Sequence, residues 1–368
     1  MQDKELQIST GHFWFKSALV YFISAGIIGI MMRYAFVGDL PDWIDYKNIR
    51  HGHSHIALLG WLYAGLYIFI VYLFELKGVI YSRLFWLNQF SVLGMLIFFP
   101  LFGYAGISIF FVSLFIFLTY AFIYLVFKDL PRKSSGFSHF LLKTSLFFLF
   151  ISSLGTWALG LISVFSMRGT ALYYAAIQFY LHFQFNGWLV FGVLALFFKI
   201  LSRRNIKYSK LDAQLFFRLL FVSTLLTYAL AISWSTPIDY IFWINGLGVL
   251  IQLASLIYLF KIIKEIVPKL KSIWSRDMMI LLSISLLSFC IKVIIQTLVV
   301  IPYFATVSYT IRNFVIGFIH LLMLGCLSSF IIAMNHQFFE RNKKFSIGIK
   351  IFVFAVVISE LILFYKDY

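Results

Sequence analysis

From Ile56 to Phe74 the chain runs for 19 residues without a charged side chain. Similar runs recur from the N-terminal region to the C-terminus, separated by short polar segments. At about 1.5 Å of rise per residue, such a run matches the hydrocarbon thickness of a bilayer as a helix. Only helices and closed barrels satisfy the backbone in lipid. Barrel strands alternate apolar and polar residues, and these runs do not. The sequence therefore predicts an all-α, polytopic membrane bundle. The composition agrees: 62% of the 368 residues are hydrophobic and 12% are charged, with mean hydropathy +0.94. A soluble domain of that composition lacks the polar surface to meet water.

About eleven transmembrane helices (eleven or twelve) are expected, near 14–37, 52–74, 84–104, 106–128, 139–165, 171–199, 212–233, 239–263, 277–301, 308–334 and 346–365. The third and fourth are divided at a short turn near Gly103 to Gly106. No soluble domain, low-complexity tract or internal repeat is evident, so residues 1–368 read as a single integral membrane domain. The two cysteines, Cys290 and Cys326, fall in apolar runs and read as buried free thiols.

The formal charge of +16 is explained by where the cations lie. With the N-terminus inside, most Lys and Arg fall in cytoplasmic segments, among them Lys77, Arg83, Arg203, Arg204, Lys207, Lys264, Lys269, Lys271 and Arg276. This predicts a bacterial-type inner (cytoplasmic) membrane protein with the C-terminus outside. It makes nucleic-acid binding unnecessary as an account of the charge. The bilayer is the expected surrounding, with a redox partner or other membrane subunits as further candidates.

Polar residues within the spans are the functional candidates, because ionisable groups in hydrocarbon are costly. Three of the eight histidines lie within five residues, His51, His53 and His55, at the start of the second span. The sixth carries His182, the tenth His320 and Asn313, and the eleventh Glu360. On the ninth, Lys292 and Gln296 share a face at i, i+4; on the sixth, Gln178, His182 and Asn186 do the same. His51 and His55 share a face and His53 points away. Such stripes are expected to face the bundle interior, as one polar centre in the outer half. Each histidine is either a ligand or a packed, hydrogen-bonded group. Gly60, Gly65, Gly317 and Gly325 either permit close helix packing or make room for a flat macrocycle.

His55-Ile-Ala-Leu-Leu resembles the second-span motif of the large subunit of haem–copper oxidases and nitric oxide reductases, a low-spin haem histidine followed by small apolar residues. His320-Leu-Leu-Met-Leu-Gly325 resembles the tenth-span motif of that family, and His182 with Asn186, Gly187 and Trp188 is similar to the reductase span that begins the active-site metal centre. The chain is also similar to related membrane proteins of the nitric oxide stress response, which share a His-x-His start to an early span. The resemblance implies a subunit I-like bundle and a b-type haem held by His55 and His320, with Arg33, Arg50 and Arg312 as propionate partners. It implies an active-site metal role for His182. Two departures count against a complete oxygen- or NO-reducing enzyme. Phe318 stands where the family has the high-spin haem histidine, and the seventh span has no histidine. Electron transfer, gas sensing or a non-catalytic respiratory role is the expectation. Two alternatives stand beside it. One is a copper or zinc site without haem, built from His51, His53, His55 and His182. The other is a cofactor-free transporter or assembly scaffold using Lys292, Gln296 and Glu360.

Overall fold

The computed structural model describes residues 2–130, 136–233, 235–236, 238–301, 303–304, 310–335 and 343–365. Among them, eleven helices are long and apolar enough to cross a membrane. They are α1 (Gln2–Tyr34), α2 (Tyr46–Leu73), α3 (Val79–Phe102), α4 (Gly106–Asp129), α5 (Phe137–Val164), α6 (Ala171–Arg203), α7 (Lys210–Ser233), α8 (Asp239–Ile273), α9 (Arg276–Leu298), α10 (Arg312–Met334) and α11 (Lys343–Tyr365). Among the described residues there is no strand, so the chain is an all-helical polytopic bundle.

The helices begin where side chains can satisfy the first free N–H groups. Asp45 accepts from Asn48 N at 3.1 Å before α2, and Thr170 from Tyr173 N at 3.3 Å before α6. Ser209 accepts from Asp212 N at 3.2 Å before α7, and Ser275 from Met278 N at 3.3 Å before α9. Gly103, with φ +58°, makes the turn between α3 and α4 that the sequence anticipates.

By internal contacts the chain falls into two compact units, residues 1–139 with 334–339, and residues 140–333 with 340–368. In the first, α2 packs between α1 and α3, with Trp61, Tyr63 and Tyr67 fully buried. In the second, α7 lies along α8, and α9 lies along α10. Large apolar side chains point outward, such as Ile23, Ile27 and Ile30 on α1 and Phe354 and Leu361 on α11. That is the arrangement lipid contact requires. The most enclosed of the eleven helices are α2, α6 and α10, whose apolar windows are 83%, 67% and 61% buried. These are the three that carry His55, His182 and His320.

Candidate functional site

Each of those three histidines ends an α-helical segment and is followed at once by a stretch of π-helix: Ile56–Tyr63, Phe183–Leu189 and Leu321–Ser328. Such wide turns are rare and gather at functional positions. Aligning them exposes a repeat in the sequence, His55-x4-Gly60-Trp61-Leu62, His182-x4-Gly187-Trp188-Leu189 and His320-x4-Gly325-Cys326-Leu327. The glycine has the same use in every copy. A Cβ on Gly60 would lie 2.8 Å from Tyr21 Cβ on α1, and one on Gly187 would lie 2.5 Å from Phe148 Cβ on α5. One on Gly325 would lie 3.0 Å from Ser288 Cβ on α9. In each case the histidine helix is pressed onto the helix before it. The pattern His-x4-Gly-x-Leu thus recurs at three π-helical turns, and spacings of more than a hundred residues hide it in the sequence.

In the first unit the three clustered imidazoles part company. His55 Nδ1 lies 2.8 Å from the carbonyl oxygen of His51, one turn back. A carbonyl can only accept, so Nδ1 carries the proton and Nε2 keeps its lone pair. The ring packs on Phe99 of α3, with centroids 4.3 Å apart, and lies 6.0 Å from Tyr104. His51 turns the same way and meets Tyr104 edge-on at 4.7 Å. His53 goes to the opposite side, its Nδ1 donating to Ala25 O on α1 at 2.9 Å. His51 and His55 therefore share a face, as the helical spacing predicts. The three rings do not converge on one point, and among the described residues no three His, Cys, Asp or Glu gather as a metal-holding group. Arg33 and Arg50 are exposed at the ends of α1 and α2 that the 35–45 segment joins.

In the second unit a polar chain crosses the bundle. His182 is 6% exposed, and its Nε2 donates to Thr224 O on α7 at 2.7 Å. That bond leaves Nδ1 as acceptor, and the Asn186 amide approaches it at 3.4 Å. The same amide lies 3.3 Å from His182 O. On its other side Asn186 Oδ1 accepts from Lys292 Nζ on α9 at 2.6 Å. Lys292 is 1% exposed, and its ammonium also lies 5.9 Å from the Phe289 ring. The structure joins His182, Asn186 and Lys292, three members of the expected polar centre, by hydrogen bonds. Two further members of the expected stripes take no part. Gln296 is buried with its Oε1 lacking a hydrogen-bond partner among the described residues, and Gln178 is half-buried without one. Thr224 was not anticipated, because it contributes a backbone carbonyl that its residue type does not signal.

The two histidine settings have different chemistry. His55 offers an open imidazole nitrogen on a ring held by its own helix. His182 spends both ring nitrogens on hydrogen bonds. At His320, the third copy, register gives the surroundings. From the contact of Gly325 with Ser288, one turn toward the start of α10 and the end of α9 leads to His320 and Lys292. From the contact of Gly317 with Leu363 and Phe364, one turn toward the end of α10 and the start of α11 leads to His320 and Glu360. Both carboxylate oxygens of Glu360 are sealed from the surface, with no hydrogen-bond partner among the described residues. Arg312 is exposed at the start of α10.

Compared with protein-family models and with curated proteins, the sequence matches none.

Proposed function

We propose that this chain is a haem-binding integral membrane protein that passes electrons, and that it lacks a complete oxygen- or NO-reducing centre. The observation that carries this reading is His55. Its Nδ1–H is anchored on a backbone carbonyl 2.8 Å away, which fixes tautomer and ring orientation and presents Nε2 as a ligand. Metal-bound histidines almost always donate their second ring nitrogen in this way. The residues present fit an axial haem ligand at this position. Phe99 and Tyr104 pack beside the ring and keep its surroundings apolar. Arg33 and Arg50 are cations at the same end of the first unit, suited to propionates. A b-type haem with two imidazoles would supply a one-electron couple with no open coordination position. The resemblance gives the second place to His320. His182 enters as a structural group, since neither ring nitrogen is spare.

The reading is tested by the oxidised and reduced absorption spectra of the purified protein, with iron, copper and zinc measured on the same sample. Copper or zinc without porphyrin favours a haem-free metal site instead. A second reading draws on the Lys292–Asn186–His182 chain, which suits a cofactor-free proton- or substrate-coupled centre in a transporter. It requires a metal-free protein whose transport is lost in Lys292→Met.

A further inference from the structure

In the second unit, α6, α8, α9 and α10 line an apolar cavity of about 130 Å³. Val193, Phe197, Val267, Met279 and Leu286 are among the residues that line it. Its polar groups are Ser283, Ser285 and Cys326, with Ser285 Oγ 3.8 Å from Cys326 Sγ. Such a space admits apolar matter and excludes water, which would find too few partners there.

What distinguishes this cavity is how its walls end. On α6 the lining stripe Val190, Val193 and Phe197 continues at helical spacing through Leu201 to Arg204. On α9 the stripe Leu286, Ser283 and Met279 continues, in the direction of decreasing number, to Arg276. On α8, Leu259, Ile263, Val267 and Leu270 lead to Trp274, with Lys271 beside Leu270. All three stripes run toward the same basic end of the bundle. Arg204 and Arg276 are exposed and have no ion pair or hydrogen bond among the described residues. Trp274 is 7% exposed, and its indole N–H has no acceptor among them. Of the carboxylates at this end, Glu265 is occupied by Ser209 N at 2.9 Å, and Asp212 and Asp277 sit in the first turns of α7 and α9, where the helix dipole favours them.

Helical register thus brings an apolar slot and two guanidiniums, each without an ion pair among the described residues, toward one end of the second unit, a profile that suits an amphiphile with a short apolar depth and an anionic head. We propose that this is a binding site for an anionic phospholipid, with part of one acyl chain in the cavity and the phosphate held by Arg204 and Arg276. The guanidinium fork matches phosphate oxygens in pairs, and basic positions at membrane depth draw anionic headgroups. The site lies wholly within the second unit and does not depend on haem.

The test uses the full chain, delipidated in detergent, with added phosphatidylglycerol or phosphatidylcholine of matched chains. The readouts are lipid retention by native mass spectrometry and the thermal midpoint. Wild type should retain phosphatidylglycerol preferentially and gain midpoint from it. Arg204→Gln with Arg276→Gln should weaken that retention about tenfold, and both residues are exposed, so folding should survive. Ser283→Trp, which fills the cavity and leaves the cations in place, should lower retention of both lipids. Arg168→Gln, in the segment before α6, should change nothing. Equal retention of the two lipids by wild type, or unchanged preference in the double variant, overturns the proposal. So does full competition by inorganic phosphate, which would make this an anion site without a chain, or unchanged retention in Ser283→Trp.

Discussion

Lys292 donates to Asn186 Oδ1 at 2.6 Å, across 106 residues of sequence, and Asn186 is the only hydrogen-bond acceptor the described residues give it. The amide turns one buried amine and one buried imidazole into a single chain, ending on Thr224 O.

Removing the middle of that chain should therefore cost more than its own contacts. Asn186→Leu strips Lys292 of its acceptor in a site that is 1% exposed. The expected loss is about 1–3 kcal/mol, the penalty of an unsatisfied buried polar group. Lys292→Met alone should cost less. The double variant Asn186→Leu, Lys292→Met should be more stable than the sum of the two single changes predicts. Reversible unfolding in mixed micelles, read by tryptophan fluorescence, gives the three values. Strict additivity contradicts the coupling.

The repeated glycines give a second prediction. Gly60→Ala, Gly187→Ala and Gly325→Ala each place a methyl against the preceding helix, within 3.0 Å of a carbon. Each should destabilise by about 1–3 kcal/mol, the usual range for overpacking. Gly160→Ala, with nothing within 4 Å, should be neutral or slightly stabilising. Thermal midpoints of the four variants decide. Equal midpoints for all four contradict the close-packing role.

His53 and His182 should behave alike, and unlike His55. His53 is bonded to Ala25 O and His182 to Thr224 O and Asn186. His53→Ala and His182→Phe should lower stability by about 1–3 kcal/mol each, through the partners left unmet. They should leave any haem spectrum in place. Loss of the spectrum in His182→Phe at full folding would assign that ring a ligand's part.

The span count and most helix limits could be read directly, because a bilayer demands long uncharged runs and the loops between them are short. The expected 106–128 is Gly106–Asp129, and the expected 171–199 is Ala171–Arg203. Helix periodicity also separated His53 from His51 and His55, since a turn of fixed pitch decides which side chains share a face. Other features were out of reach. The π-helical turns after His55, His182 and His320 carry no composition of their own, so the repeat they mark emerged only when their positions were laid side by side. Thr224 entered through its carbonyl, which every residue has. The extension of α8 to Ile273, ten residues past the expected end at 263, was hidden by Lys261 and Lys264, which continue the helix beyond the apolar run.

The central claim rests on the open nitrogen of His55, and optical spectroscopy of the purified full-length protein tests it most directly. The account predicts a Soret band that sharpens on reduction into a low-spin spectrum, with iron in the sample. It predicts that His55→Ala abolishes this spectrum in a protein that still folds, while His139→Ala leaves it unchanged. A wild-type protein without Soret absorbance and without iron, or a low-spin spectrum that survives His55→Ala, would contradict it.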